Sequence, residues 1–408
     1  MKKTILRNYA RLIARVGINV KKGQEVIIQA ELDQPEFVEM VVDEAYKAGA
    51  GKVTVEWSHQ RLTRYHVRYR KPAVLAEVTE WEKAKLRHRV DTLPAIVYLL
   101  SEDPDGLSGI NQKKYGEAMQ KRAKVTKPFR DEMDNKYQWC IAAVPGVAWA
   151  KKIFPGEKKN RAVERLWEAI LEASRATDDP VAAWKAHNKD LHRRADYLNS
   201  LELAELHYKD ENGTDFRVGL IPDALFMGGA ESLPNEDHIY NPNIPSEEIF
   251  VTPMAGDADG IVYSSKPLSF RGALITDFSV RFENGRAVEV HAKENEDLLR
   301  QLIEMDEGAA MLGEVALVPY HSPISMQNIL YYNTLFDENA ACHLAFGRGF
   351  SNCLRDYEKY SQEEYREKGI NDSIIHEDFM IGTKTLSITG VTKDGKSVPI
   401  LKDGDWAF

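Results

Sequence analysis

Two strand-like apolar runs near the end of the chain contain charged residues at positions where burial would be expensive. Glu314 interrupts the run 311–319, and His376 and Asp378 lie two residues apart in the run 374–381. If each run forms a strand, side chains two residues apart point to the same face. A buried carboxylate or imidazole then needs a partner that offsets its desolvation. A divalent metal ion is such a partner, because it binds both imidazole nitrogens and carboxylate oxygens.

The pair of His376 and Asp378 is a weak signal by itself. Such a pair is more often hydrogen-bonded on a half-exposed strand. Further acidic and imidazole side chains strengthen the hypothesis of a metal site. They come from separated segments of the chain, so only their convergence in the fold would make one site. The additional candidates are Glu247, Glu248, Glu338 and His343.

The first 195 residues alternate strand-like and helix-like segments, which predicts a mainly parallel sheet with helices on its faces. A proline at position 35 begins an amphipathic helix that the glycines at 49 and 51 end. We therefore predict an N-terminal α/β domain over residues 1–195. The predicted strands of this domain are 25–30, 52–57, 95–100 and 138–144.

After residue 195 the pattern changes to short strands joined by tight turns. Asn212-Gly213 and Asn284-Gly285 each lie between two strand-like runs, and Asn-Gly favours the type I′ turn of a β-hairpin. We predict a C-terminal, mostly antiparallel and β-rich domain over residues 196–408, which carries all the candidate metal ligands. The fold class is thus α/β plus α+β.

Composition argues against several classes of protein. The formal net charge of −9 disfavours a general nucleic-acid-binding surface, and the basic, aromatic run 61–71 is interpreted as a solvated helix with buried tyrosines. Three cysteines are too few for a disulfide framework.

No apolar stretch approaches the roughly 20 residues of a membrane span. The basic start is interpreted as a helix and not as a signal peptide, so we expect a cytoplasmic location and no membrane partner.

A nucleotide-dependent enzyme built on the N-terminal half is an alternative function. It would need a glycine-rich loop that opens a helix and cradles phosphate. Gly49 and Gly51 follow a predicted helix instead of opening one, and they do not form the Gly-x-Gly-x-x-Gly pattern. The sequence therefore disfavours this alternative.

Four blocks of sequence, in order and with matching spacing, resemble the aminopeptidase T family of metallo-aminopeptidases, which includes the AmpS-like and PepS-like enzymes. The blocks are 245–250, 313–319, 335–343 and 375–382, and the segment 17–24 also fits. The resemblance covers essentially the whole chain. It implies an enzyme that hydrolyses the N-terminal residue of peptides with a free N-terminus. It also implies two divalent metal ions, usually zinc or cobalt with manganese as an alternative, and a two-domain homodimer whose C-terminal domain builds the active site.

The resemblance also implies a set of site residues, transferred position by position. Oxygen and imidazole ligands without thiolate suit zinc, cobalt or manganese. Five or six ligands fit two ions that share a bridging carboxylate and activate one water. Glu314 is the predicted bridge and a catalytic residue, and Glu247 is a competing choice for Glu248 as a ligand. If Glu247 or Glu338 is not a ligand, it could be the catalytic-site carboxylate that binds the substrate's free α-amine. The implied metal ligands are Glu248, Glu314, His343, His376 and Asp378, with Glu338 as a sixth candidate.

One position departs from the family pattern. The family has a tyrosine seven residues after its first ligand histidine, and this chain has Phe350 there. A phenyl ring cannot donate a hydrogen bond to a tetrahedral intermediate, and losing one such donor typically costs roughly 3 kcal/mol of transition-state stabilisation. Three alternatives follow. Tyr357 or Tyr360 supplies the hydroxyl, the enzyme is slower or differently tuned, or the chain is a catalytically silent metal-binding homologue.

Overall fold

The structure is a computed structural model that describes residues 2–176, 178–234, 236 and 238–408. The chain forms two units, and each is described separately. The first unit consists of residues 1–188 and 229–246, and the second of residues 189–228 and 247–408. The chain thus returns to the first unit after residue 228. The single domain boundary near residue 195 does not include this return and stays a prediction.

A parallel sheet with helices on its faces forms the first unit, as the alternation of apolar strands and amphipathic helices predicts. The predicted fold class is confirmed in both halves of the chain. Every neighbouring pair of strands in this sheet runs parallel. The strand order is Lys52–Ser58, Glu25–Glu31, Ala95–Leu100, Trp139–Ala143 and Asn243–Ile244.

Helices cover this sheet because their apolar residues recur at helical spacing. A π-helical turn, Ile13–Gly17, continues the first helix, and a short antiparallel pair, Glu231–Ser232 with Ile239–Tyr240, also belongs to this unit. The last helix begins in the first unit and ends in the second. The α-helices are Lys3–Leu12, Pro35–Ala48, Gln60–Tyr69, Pro72–Ala76, Glu80–Thr92, Gln112–Met133, Val147–Ile153, Lys159–Ala173 and Pro180–Ser200.

The interpretation of the basic run 61–71 is wrong in one respect. The helix Gln60–Tyr69 buries only Val67, while Tyr65 and Tyr69 are 56% and 70% exposed. The two tyrosine rings stack on each other outside the core, with centroids 6.5 Å apart. The sequence pattern was ambiguous because the helix carries apolar residues on two faces, and only the face with Val67 meets the rest of the unit.

An eight-stranded antiparallel sheet forms the framework of the second unit. Both predicted Asn-Gly turns join neighbouring antiparallel strands. Gly285 has a φ of +78°, which glycine adopts without steric cost. The strand order is Arg286–His291, Ser279–Glu283, Pro253–Tyr263, Asp215–Leu220, Leu203–Lys209, Ser387–Thr392, Ser397–Lys402 and Asp405–Trp406.

A four-stranded antiparallel sheet carries the candidate ligands, and we call it the site sheet. Its inner strands Leu312–Leu317 and His343–Gly347 are buried at every residue. The edge strands are Ile249–Val251 beside the first and His376–Met380 beside the second. The other regular elements of this unit are the pair Leu268–Phe270 and Ala273–Ile275, the α-helices Glu296–Ile303, Pro323–Met326, Thr334–Asp337 and Gln362–Glu367, and the 3-10 turns Glu338–Ala340, Ser351–Cys353 and Tyr357–Lys359.

Two further predictions concern the start of the chain and the membrane. The basic start forms the helix Lys3–Leu12, as expected. Within the described residues, no helix is long and apolar enough to cross a membrane. The three cysteines are free and buried.

A capping box at the start of the helix Glu80–Thr92 gives a test of the fold. Glu82 accepts hydrogen bonds from the backbone and hydroxyl of Thr79. Burial raises the pKa of Glu82, but these bonds and Arg122 lower it to about 2 overall. Since the folded-state pKa lies below the unfolded one, the stabilisation is present above about pH 4.5 and is lost towards pH 2.

We therefore expect Glu82→Gln to lower the free energy of unfolding at pH 7 by about 1 kcal/mol. The deficit should disappear as the pH falls from about 4.5 to 2. Urea unfolding at several pH values measures it. The matched control is Glu80→Gln in the same helical turn, where the carboxylate is 88% exposed and pairs with Lys83. An equal effect of both substitutions would contradict the capping role.

Candidate metal centre

The register of the site sheet brings side chains from three strands onto one row. Glu314 pairs with Ala345, and Ala345 pairs with Asp378. Residues opposite each other in an antiparallel sheet point to the same face, so the two carboxylates flank the small Ala345 side chain. His343 and His376 lie two residues from Ala345 and Asp378 along their strands and therefore share this face. Strand geometry alone thus gathers ligands that are far apart in sequence.

Two groups of potential ligand atoms form on this face, and Glu314 belongs to both. The first group is Glu248, Glu314 and His343, and the second is Glu314, His376 and Asp378; within each group the ligand atoms lie within 4.8 Å of one another. His343 Nε2 lies 3.2 Å from Glu248 Oε2. His376 Nε2 lies 3.0 Å from Glu314 Oε2 and 3.4 Å from Asp378 Oδ1.

Backbone carbonyls orient both imidazole rings. His376 Nδ1 lies 2.7 Å from the carbonyl oxygen of Arg348, and His343 Nδ1 lies 3.1 Å from that of Ala341. A carbonyl only accepts, so in each ring Nδ1 carries the proton and Nε2 faces the carboxylates. Neutral imidazoles held this way present the Nε2 lone pair, which is the arrangement of histidine ligands in metal sites.

Burial makes the charge balance of this cluster costly. Glu248, Glu314 and Asp378 are 5%, 4% and 7% exposed. Burial raises the pKa of Glu314 to about 7; the hydrogen bond from His376 opposes this rise and the charge of Asp378 adds to it. Burial disfavours a charged His343, yet the neighbouring Glu248 raises its pKa to about 9. The pKa of His376 is raised by Asp378 and Glu314 against the effect of burial.

The donor set fits divalent metal ions. Burial would raise the pKa of Asp378, but His376 holds it below its usual value. Its Oδ1 is nevertheless buried without a well-formed hydrogen bond. A buried carboxylate oxygen without a hydrogen bond is costly unless a cation binds it. Oxygen and imidazole ligands without thiolate suit zinc, cobalt or manganese. Glu248, Glu314, His343, His376 and Asp378 are therefore the residues that would hold metal.

The structure separates the other two sequence candidates from these groups. Glu338 is buried, and burial together with the charges of Asp378, Glu248 and Glu314 raises its pKa well above the usual value. It therefore lies near the cluster, although it belongs to neither group of ligand atoms. Glu247 is 6% exposed and likewise belongs to neither group. Its backbone N–H donates to Asn339 Oδ1 at 2.6 Å.

Several contributors to the site carry no sequence signal. The carbonyls of Arg348 and Ala341 act through the backbone, which any residue supplies. Ala345 is recognisable only once the strand register is known. Asn339 lies beside a candidate, but an asparagine in a short turn is usually a local turn residue.

Phe350 packs directly on the site. Its ring centroid lies 4.7 Å from that of His376 and 5.6 Å from that of Phe250. The phenyl ring thus supports a candidate ligand without supplying a hydroxyl. Tyr360, one alternative source of a phenol, packs its ring on Tyr365 and under the Lys368 ammonium, and it would have to leave these contacts to act at the site.

Comparison with known proteins agrees with the geometry. The family model described as thermophilic metalloprotease (M29) matches residues 2–406. The chain belongs to this family. Aminopeptidase AmpS of Bacillus subtilis is 41% identical over 405 residues, which cover 99% of this chain and 98% of that protein. Aminopeptidase T of Thermus thermophilus is 38% identical over 403 residues, covering 98% of each chain.

A solved structure shares the fold over the whole length. The structure titled wild-type AmpT from Thermus thermophilus superposes with a TM-score of 0.90 and 37% identity, and the match covers 100% of both chains. The predicted resemblance to the aminopeptidase T family is therefore confirmed. Membership of a metalloprotease family implies a divalent metal, and the two ligand groups are the candidate places for it.

The row of Glu314, Ala345 and Asp378 gives a test of the ligand arrangement. Ala345→Leu would fill the space between the two carboxylates, so we expect at least a tenfold weaker affinity for Co²⁺. Overpacking a buried site also costs about 1–3 kcal/mol of stability. Isothermal titration calorimetry and thermal unfolding measure the two effects.

Ala258→Leu provides the matched control, because Ala258 is a 2% exposed alanine of the eight-stranded sheet. It should lower stability by a similar amount and leave the affinity for Co²⁺ unchanged. Unchanged Co²⁺ affinity in a folded Ala345→Leu protein would show that the ion does not lie on this row.

Proposed function

We propose that this protein hydrolyses the N-terminal residue of peptides with a free N-terminus, using two divalent metal ions that share Glu314. The family and the names of its relatives already make the chain a metallo-aminopeptidase. The observation that supports a dinuclear centre is that Glu314 contributes ligand atoms to both groups. One tetrahedral ion could not use all five candidate ligands, whereas two ions with a bridging carboxylate can.

Bound metal ions at such a centre supply Lewis-acid polarisation of the peptide carbonyl and lower the pKa of a water molecule to about neutrality. The protein supplies the ligands and the groups that orient them. Glu314 bridges the two groups, and the carbonyls of Arg348 and Ala341 hold the His376 and His343 rings. Glu314, His343 and His376 lie on strands of the site sheet, so ladder hydrogen bonds hold their backbones before substrate binds.

Glu338 and Glu247 are buried carboxylates that belong to neither ligand group. An aminopeptidase must bind the free α-ammonium and must transfer a proton to the departing amine. Burial, together with the charges of Asp378, Glu248 and Glu314, raises the pKa of Glu338 well above its usual value, and carboxyl groups with perturbed pKa values are frequent at catalytic sites. We assign proton transfer to Glu338 and ammonium binding to Glu247. The sequence-based alternative, in which Glu338 is a sixth metal ligand, stays a prediction.

Zinc and cobalt are the metals we propose, with manganese as an alternative, since all three accept oxygen and imidazole ligands. The homodimer and the cytoplasmic location implied by the family resemblance stay predictions. They are tested by size-exclusion chromatography with light scattering and by cell fractionation.

A catalytically silent metal-binding homologue is the second candidate function. Phe350 favours it, because its ring contacts His376 where the family resemblance places a phenol. Such a protein would bind metal and turn over no peptide. Aminopeptidase activity of the metal-loaded protein on a panel of amino-acid p-nitroanilides and short peptides distinguishes the two.

Three substitutions test the shared carboxylate. Glu314→Gln should abolish binding of both ions, whereas His343→Ala and His376→Ala should each remove one. Every variant should lose at least a hundredfold in kcat on leucine p-nitroanilide, about 3 kcal/mol of transition-state stabilisation. Metal content is measured by mass spectrometry after dialysis against Co²⁺ or Zn²⁺. Full activity of Glu314→Gln, or loss of only one ion from it, would contradict the dinuclear proposal.

Phe350→Tyr tests whether the missing hydroxyl limits the rate. The ring position next to His376 is kept, and a hydrogen-bond donor is added. We expect kcat to rise, by up to about a hundredfold if the hydroxyl reaches the transition state, with metal content unchanged. Phe250→Tyr, which adds a hydroxyl to the neighbouring ring, is the control. An equal or lower rate for Phe350→Tyr would show that the chain does not need a phenol at this position.

A further inference from the structure

Two partly exposed aromatic rings lie beside the candidate metal ligands on the site sheet. Phe250 is opposite Ala316 on the neighbouring strand, and Ala316 is opposite His343 on the next strand. Residues opposite each other in an antiparallel sheet share a face, so the Phe250 ring and the His343 imidazole lie on the same side. Phe250 and Phe350 both keep part of their surface exposed, whereas the inner strands of the sheet are buried at every residue.

The Phe350 ring extends this aromatic surface to the second ligand group. Its centroid lies 5.6 Å from that of Phe250, at an interplanar angle of 72°, and 4.7 Å from that of His376. Phe250 and His376 belong to the two edge strands of the site sheet, so one ring contacts side chains from both edges. We call the pair of Phe250 and Phe350 the aromatic wall, and it has a ring beside each group of ligand atoms.

Thr252 holds the two parts of the aromatic wall together. Its hydroxyl accepts from the Phe350 N–H at 2.8 Å and donates to the Phe350 carbonyl at 3.2 Å. Thr252 is completely buried and follows Phe250 by two residues, so one side chain connects the segments that carry the rings. A surface that is already in place binds a ligand with a smaller loss of conformational entropy than a surface that must first be ordered.

Met227 adds a third apolar side chain to this surface. It forms an antiparallel bridge with Phe250, in which the N–H of each residue donates to the carbonyl of the other at 2.8 Å. The two side chains therefore share a face, and Met227 is also partly exposed. Sites for small ligands are lined mainly by apolar and aromatic side chains around a few polar groups. Here the candidate metal ligands are the polar groups.

The chemistry of an aminopeptidase decides which part of a substrate meets the aromatic wall. In the proposed function the scissile carbonyl is held at the ligand groups. The first side chain branches from the carbon atom next to this carbonyl, whereas the second side chain branches from an atom beyond the leaving nitrogen. The free α-amine also belongs to the first residue. The first side chain is therefore the part of the substrate that lies nearest to groups flanking the ligands.

We propose that the aromatic wall and Met227 form an apolar subsite for the side chain of the substrate's first residue. The substrate class is then peptides that begin with a large apolar residue, such as leucine or phenylalanine. Peptides that begin with aspartate or glutamate are poor substrates, because a charged side chain would lose its hydration against these apolar groups. The inference rests on the proposed function. Phe250 is the main specificity-determining residue, since Phe350 and Met227 both adjoin it.

Binding of free amino acids to the Co²⁺-loaded protein tests the subsite without turnover. A free amino acid carries the first side chain and no leaving group. Isothermal titration calorimetry should give a Kd for L-phenylalanine at least about tenfold lower than that for L-alanine, since one methylene in an apolar pocket is already worth roughly tenfold or more. Equal Kd values for the two amino acids in the wild-type protein would contradict the proposal.

Two variants locate the effect. Phe250→Ala removes the central ring, so the Kd for L-phenylalanine should rise at least about tenfold, while the Kd for L-alanine stays within about threefold and the Co²⁺ content is unchanged. The kcat/KM on phenylalanine p-nitroanilide should fall by a similar factor, and that on alanine p-nitroanilide should not. Met227→Gln keeps the size of the side chain and makes it polar. It should raise the Kd for L-phenylalanine as well, and it still tests the subsite if Phe250→Ala does not fold.

Phe408→Ala is the matched control. Phe408 is a 42% exposed ring of the second unit that packs on Tyr197 and Trp406, so its loss also removes aromatic contacts. It should leave the ratio of the two Kd values unchanged. If Phe250→Ala and Met227→Gln weaken binding of both amino acids alike, or of neither, the aromatic wall is not the subsite. A change only in the preference for the second residue of dipeptides, at unchanged Kd values, would place the wall beside the leaving group and would also overturn the proposal.

Failure of the proposed function gives a different result. A protein whose Phe250 determines the binding of L-phenylalanine, but which cleaves no peptide, would overturn the peptidase proposal and keep the apolar subsite. A protein that cleaves phenylalanine and alanine p-nitroanilides equally well, and binds both amino acids with equal Kd, would keep the peptidase proposal and overturn the subsite.

Discussion

The second unit depends on balancing the negative charge that it buries on one face of a four-stranded sheet. Glu248, Glu314 and Asp378 are each less than a tenth exposed, and the imidazoles of His343 and His376 face them. Carboxylates this close cannot all ionise in a dry environment unless cations neutralise them. Without metal, the neighbouring carboxylates raise the pKa values of His343 and His376 and favour protonated rings. With metal bound, the same rings, held by backbone carbonyls, would offer nitrogen lone pairs instead. Divalent metal ions bound to these carboxylates would neutralise the buried negative charge. The same ions would supply the chemistry of a metalloprotease.

The site sheet also fixes the relative positions of the candidate ligands. Ladder hydrogen bonds fix the strands at spacings of about 5 Å, so ligands that alternate along them need little further support. The alanine between Glu314 and Asp378 leaves the row open for an ion. Residues outside the ladder are held differently. Glu338 lies in a 3-10 turn, and Glu248 directly precedes the strand Ile249–Val251. The Asn339 side chain donates to Glu338 Oε1 and accepts from the backbone N–H of Glu247.

Local sequence pattern predicted the elements of the fold better than it predicted the site. The two Asn-Gly turns and the apolar strands follow from backbone preferences of a few residues. Convergence of Glu314 with Asp378 depends on strand register, which no local pattern contains, and it was inferred from family resemblance. The two-residue strand Asn243–Ile244 is too short to have a signal of its own. Tyr65 and Tyr69 were predicted as buried because helical periodicity does not say which of two apolar faces meets the core.

Phe350 lies beside the site at the position where the family resemblance places a tyrosine. Its ring supports His376 from the side, so the ligand geometry survives without a hydroxyl at this position. Whether metals lie where the carboxylates and imidazoles converge is the central claim. An anomalous-scattering map of crystals grown with Co²⁺ tests it most directly. The account predicts two peaks, both within bonding distance of Glu314, one beside Glu248 and His343 and the other beside His376 and Asp378. A single peak, or peaks away from Glu314, would contradict it.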